Sequence, residues 1–151
     1  MDISAKSDYA VRALLALATH GPEPVHADVL AAEQDLPRKF LEAILADLRR
    51  AELVRSTRGP VGGYRLARTP AQITLGQVIR AVDGPLAEVR GRRPEETSYE
   101  GAAEHLSQVW VAVRAALRGV LDETTLDQVL SGRLPARVRR LAAAPDAWAP
   151  R

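Results

Sequence analysis

Arginine and glycine, rather than cysteine or histidine, are the residues this chain arranges for chemistry. The stretch RSTRGPVGGYRLAR, residues 55–68, holds four arginines and three glycines. A guanidinium is a fixed cation with a fork of donors suited to phosphate oxygens and guanine edges. Glycine supplies backbone angles closed to other residues. Gly59, Gly62 and Gly63 therefore point to a tight hairpin between two short strands, residues 53–57 and 64–67. Arg58 then sits at the tip of a thin loop, where it can enter a minor groove or grip phosphate. A nucleotide-cradling loop is the competing reading. It needs a helix N-terminus directly after the glycines, and here a strand-like YRLA follows.

Charge supports a surface for a polyanion. The 151 residues carry a formal net charge of only +2. Residues 36–68 contain eight cations (Arg38, Lys39, Arg49, Arg50, Arg55, Arg58, Arg65, Arg68) and three acids (Glu42, Asp47, Glu52), a local +5 against −3 elsewhere. A basic field on a near-neutral protein suits nucleic acid, the alternative being a solvated surface. The chain has no cysteine, which excludes disulfides, thiolate catalysis and cysteine-held metals or clusters. Three scattered histidines and no compact acid–base group nominate no catalytic residue, so an enzyme is not expected. The longest apolar run, residues 13–18, is too short to span a bilayer, and no N-terminal apolar signal region is visible. The expectation is a soluble cytoplasmic protein without a membrane partner.

Helical periodicity supplies the scaffold. Residues 8–19 form a largely buried helix, capped by Ser4 or Ser7 and ended by Gly21, Pro22 and Pro24. A short helix over 26–34 turns Val29 and Leu30 inward. Asp35, Leu36 and Pro37 make a tight connection, with Pro37 suited to the first position of the next helix. That helix runs to about Ala51. Leu41, Ile44, Leu45 and Leu48 form its apolar stripe, and Arg38, Lys39, Glu42, Asp47, Arg49 and Arg50 lie opposite. Two short helices, a tight turn and a basic second helix make a helix-turn-helix, whose second helix enters the DNA major groove; the hairpin that follows is its wing.

Thr-x-x-Gln capping boxes at Thr74 and Thr125 open two further helices. The first of these sets Leu75, Val78, Ile79 and Val82 on one face. Residues 86–101 lack periodicity and read as a loop. Residues 102–121 form the longest helix, striped by Leu106, Val109, Trp110, Val113, Leu117, Val120 and Leu121 and weakened at Gly119. A last helical segment over 135–143 turns Val138 and Leu141 inward, and 146–151 is a loose tail. The stripe needs a cover, and a DNA reader gains affinity when two copies read two half-sites. It is therefore expected to be a dimer interface. The fold class is mainly α with a small β-hairpin wing: a winged helix-turn-helix DNA-binding domain over residues 1–85, the loop 86–101, and a long dimerisation helix with short C-terminal helices over 102–145.

SAKSDYAVRALLALA, LPRKFLEAILADLRRAELV and RSTRGPVGGYRLAR resemble the Rrf2 family of bacterial winged-helix regulators, which includes IscR, NsrR and CymR. ITLGQVIRAVDGP and LDETTLDQVL look like the family's later segments, so the resemblance covers about residues 1–132. It implies a homodimer that binds double-stranded DNA at a palindrome, usually as a repressor of transcription. Carried over by position, Lys6 lies at the family's N-terminal backbone contact. Pro37, Arg38, Lys39, Phe40 and Glu42 lie where its recognition helix meets DNA. Arg58 lies at its wing arginine, with Gly59, Gly62, Gly63 and Tyr64 beside it. Chemistry agrees with these types: Arg and Lys hold guanine edges or phosphate, and a carboxylate accepts from cytosine. For Glu42 the other reading is a surface ion pair with Arg38 or Lys39.

The best-known members of the family hold an iron–sulfur cluster through three cysteines in the stretch that matches residues 86–106, which has none here. Asp8 matches an acidic ligand of the nitric-oxide sensors, but one carboxylate without thiolates cannot hold a cluster, so Asp8 reads as a cap or a phosphate-side residue. His105 falls near the family's histidine ligand but is offset, and reads as a surface or interface residue. The resemblance is therefore to the cluster-free, CymR-like branch. It implies no metal, no cofactor, and a signal from a small-molecule effector or a partner enzyme. A ligand is expected where residues 86–101 meet the long helix. The alternative function is a winged-helix module that binds protein and leaves its arginines solvated. A steep loss of DNA affinity with salt separates the two.

Overall fold

The computed structural model describes residues 2–150; Met1, which begins the expected first unit, and Arg151, which ends the expected tail, lie outside the described residues. The Ser4 hydroxyl accepts the Ser7 N–H at 2.9 Å and caps helix α1, Ala5–Thr19. Asp8 is therefore not the cap; it is exposed and stands 3.6 Å from Arg12. Helix α2, Ala27–Gln34, ends at Asp35, which takes the left-handed conformation at φ 51. Pro37 is the N-cap residue of helix α3, Arg38–Arg50, one place before the position its ring was expected to fill.

The α3 stripe matches its periodicity: Leu41, Ile44, Leu45 and Leu48 are all fully buried. In α2, Leu30 is buried but Val29 is 43% exposed, a correction to its expected inward turn. Eight residues are two turns, too short for periodicity to fix which flank faces the core.

Strands β1, Val54–Thr57, and β2, Gly63–Leu66, pair antiparallel, with Val54 opposite Leu66 and Thr57 opposite Gly63. The hairpin is also bound from below. Val25 and Tyr64 exchange two backbone hydrogen bonds of 2.8 Å, and the His26 ring donates from Nε2 to the Pro60 carbonyl at 3.0 Å. Gly63 makes this approach feasible: its φ is 137, and a Cβ there would run into the Val25 carbonyl.

A 3-10 turn, Pro70–Gln72, leads to helix α4, Leu75–Asp83. The following loop contains two more 3-10 turns, Pro94–Glu96 and Gly101–Ala103. Helix α5 spans Leu106–Leu121, so it begins with its apolar stripe and not at Ala102. Helices α6, Leu126–Ser131, and α7, Ala136–Ala142, complete the chain. The Arg137 side chain lies over Gly119, where a Cβ would collide with it. Leu141 is 53% exposed, a correction to its expected inward turn, because α7 is a short terminal helix resting on α5 alone among the main contacts.

One apolar core lies under α1, which packs against α2, α3, α4 and β2. Leu14, Leu17, Leu30, Leu53, Ile73 and Val78 fill it beside the α3 stripe. Leu126 of α6 is fully buried in the same cluster, although the sequence groups it with the C-terminal part. The two capping boxes are joined there. The Leu75 N–H donates to the Thr124 carbonyl at 2.9 Å, and the Leu126 N–H to the Ile73 carbonyl at 3.0 Å. The chain leaves the core after α4 and returns through α6, which leaves α5 on the outside. No residue of α5 is buried.

Candidate nucleic-acid interface

The exposed face of α3 begins at a bare N-terminus. Pro37 offers no side-chain cap, and the first turn contains no acid. The free N–H groups and positive end of the helix dipole there favour phosphate. Arg38, Lys39 and Glu42 are exposed on the same helix, and Phe40 is partly exposed, its ring edge-on to Tyr9 with centroids 5.6 Å apart. Arg38 is held from two sides: Asp28 of α2 lies 2.8 Å from its guanidinium, and Glu42 accepts from its Nε at 3.0 Å. The Glu42 hydrogen bond first, and then the charges of Asp28 and Glu42, raise the Arg38 pKa above its ordinary value. Glu42 thus makes the surface ion pair that was its other reading. Lys39 makes no ion pair among the described residues.

The wing stands next to this helix because Arg49 of α3 donates to the Ser56 hydroxyl of β1 at 3.3 Å. Arg55, Arg58 and Gly59 are exposed, and Arg58 makes no ion pair among the described residues. Gly62 is buried, and Gly63 and Tyr64 are half-buried, so these three shape and anchor the loop. Arg12 fixes the angle between α1 and α2. It donates to the Gln34 carbonyl at 2.6 Å and lies over the Tyr9 ring at 5.5 Å.

Lys6 is placed differently from the other expected contacts. Its ammonium donates to the Val82 carbonyl at the end of α4 at 2.8 Å and pairs with Asp47 of α3 at 2.7 Å. It therefore ties three helices together. Beside it, the Ser7 hydroxyl donates to Asp83 at 2.6 Å and the Ser4 hydroxyl donates to the same oxygen. Sequence reasoning missed Asp28, Asp47 and Asp83 as anchors, because each contact joins different helices and leaves no local pattern.

Desolvation pushes the Asp83 carboxyl up, but the hydrogen bonds from Ser4 and Ser7 and the charge of Lys6 outweigh it and hold the group below its ordinary 3.8. A carboxyl depressed in the folded state adds stability above its unfolded value and loses it as pH falls through the folded value. Asp83→Asn is therefore expected to melt below the native chain at neutral pH, with the gap closing only below about 3.8. Thermal melts followed by circular dichroism from neutral to acid pH check this.

The α5 stripe divides in two. Leu117 and Leu121 turn toward Ile79 and Pro85 of their own protomer, where they line a small cleft. Val109, half exposed, shares the outer side with Val113 and Val120, and the exposed Ala112 and Ala116 fall between them at helical spacing. Leu106 and Trp110 are partly covered. The sequence pattern does not single out the two alanines on this outer side because alanine carries little apolar signal.

Comparison with known proteins agrees with this geometry. Residues 3–132 match the model of the Rrf2 family, described as an iron-dependent transcriptional regulator. The chain is 48% identical to Rv1287 of Mycobacterium tuberculosis, over 94% of this chain and 89% of that protein. It is 36% identical to the HTH-type transcriptional regulator CymR of Bacillus subtilis, over 87% and 91% of the two chains. The solved structure of that CymR, the global cysteine regulator, superposes with a TM-score of 0.73 at 35% identity, covering 87% of this chain and 98% of the other. T. potens IscR superposes with a TM-score of 0.69 at 34% identity, covering 88% of each chain. A winged helix with its basic helix and wing exposed, and this likeness over nearly its whole length, place the chain in the Rrf2 family of DNA-binding transcription regulators.

Proposed function

We propose that the protein works as a homodimer on a palindromic operator and represses transcription from it. Residues 1–85 read the DNA, with α3 in the major groove and the Arg58 loop at the flanking minor groove or backbone. The outer face of α5 joins the two copies. The observation that carries this reading is a pair of cations, Lys39 and Arg58, that make no ion pair among the described residues on two neighbouring exposed elements. Lys6 supports the reading by fixing α1 and α3 to α4, and its ammonium, on a side chain 32% exposed, keeps a third N–H for a backbone phosphate. Action on DNA places the protein in the cytoplasm.

The iron named in the family description does not fit these residues. A thiolate-held cluster needs cysteines, and the chain has none. Among the described residues no three His, Asp or Glu side chains come together as metal ligands. The control proposed in its place is a small molecule or a partner protein.

Fluorescence anisotropy on the DNA upstream of the protein's own gene tests the reading, with a scrambled duplex and a salt series beside it. Affinity for the native duplex is expected to exceed that for the scrambled one and to fall steeply with salt. Arg58→Ala is expected to weaken binding by about tenfold and to lower the salt slope by about one. Equal, salt-insensitive binding to both duplexes would overturn the proposal.

A further inference from the structure

The chain builds a cationic cleft away from the DNA-reading elements. The end of α4, the loop after it and α5 enclose about 350 Å³. Arg80, Arg93, Arg114 and Arg118 line it, with Leu86 as an apolar wall and Glu95 as its one acid. Two of the four guanidinium groups are already oriented by carboxylates. Arg80 donates to Asp122 from both terminal nitrogens, at 2.6 and 3.4 Å. Arg114, its side chain only 12% exposed, pairs with Glu95. The other two make no ion pair among the described residues, although the Arg93 charge still acts on Glu95, whose carboxyl is held below its ordinary value first by its backbone hydrogen bond and by the Arg114 hydrogen bond.

Four fixed cations line this space, against Glu95 in its lining, Asp122 on Arg80 and Glu96 on the Arg93 backbone, so positive charge exceeds negative by one. Like charges that line one space repel, and an anion between them relieves the repulsion. Guanidinium forks bind carboxylate and phosphate oxygens in pairs, and the apolar wall gives room for a carbon skeleton. Arg114 and Arg118 lie on the opposite side of α5 from Val109, Ala112 and Ala116, so a second copy on that outer face leaves the cleft open.

We propose that this cleft binds a small organic dianion, bearing carboxylate or phosphate groups, between Arg93 and Arg118. Binding does not depend on the DNA reading. A regulatory effect of the ligand does, since it rests on the homodimer and its operator.

The test uses the full chain without DNA. Succinate, malate, glycerol 3-phosphate and glycerol 2-phosphate are titrated by calorimetry and thermal shift, against sodium chloride at matched ionic strength. At least one probe is expected to bind saturably and raise the Tm. Arg93→Gln and Arg118→Gln are each expected to weaken that binding by about tenfold or more, while their unliganded melts stay near the native one. Whether carboxylates or phosphates bind more tightly identifies the source. Absence of saturable binding for all four probes overturns the proposal, as does equal binding to the native chain and to the double variant. Arg58→Ala separates the two readings: it should lose DNA affinity and keep the ligand-induced shift.

Discussion

Ala116→Glu is expected to sediment as a monomer and to bind a palindromic duplex about a hundredfold more weakly than the native chain. Ala116 is exposed in the single chain and stands between Val109, Val113 and Val120 on the outer side of α5. A carboxylate there meets only water in the monomer, so the fold and its melt should be unchanged. In a two-fold interface each copy brings the same charge to the same apolar patch, where burial without a partner is strongly unfavourable. The affinity loss follows because two half-sites are then read by independent molecules. Analytical ultracentrifugation and anisotropy check the two parts separately. A variant that remains a dimer would place the interface on another face.

Gly63→Ala is expected to destabilise the protein by more than about 3 kcal/mol and to abolish operator binding. The residue has φ 137, a conformation that side chains rarely adopt, and its added Cβ would strike the Val25 carbonyl. The backbone would have to retreat, breaking the two 2.8 Å hydrogen bonds between Val25 and Tyr64 that hold the wing to the body. Gly59→Ala is the matched comparison. Gly59 has φ 105 but open space around it, so only backbone strain remains, about 1 kcal/mol. Urea unfolding of both variants measures the difference. Equal losses would mean that the close approach to Val25 contributes nothing.

What was legible in the sequence was local. The α3 stripe, the two Thr-x-x-Gln caps and the glycine hairpin each declare themselves within a few residues, because capping, turn chemistry and helical period act at that range. What was not legible depends on contacts between distant segments. Leu126 follows α5 in the chain, yet it completes the core of the N-terminal part. Lys6 stands out in the sequence for its charge alone, and its ties to Asp47 and the Val82 carbonyl join segments far apart in the chain. The cleft arginines come from α4, a loop and α5, and no window of sequence contains all four. Val29 and Leu141 illustrate the reverse error. Both are apolar residues in short helices, where spacing alone cannot tell the covered side from the open one.

The two carboxylates on Arg38 fix the direction in which its guanidinium can meet a partner. Asp28 at 2.8 Å engages Nη1 and Glu42 at 3.0 Å accepts from Nε, which leaves the Nη2 end of the fork unengaged. The side chain is held in place before any partner arrives, so little rotamer freedom remains to be lost when that end of the fork meets an acceptor.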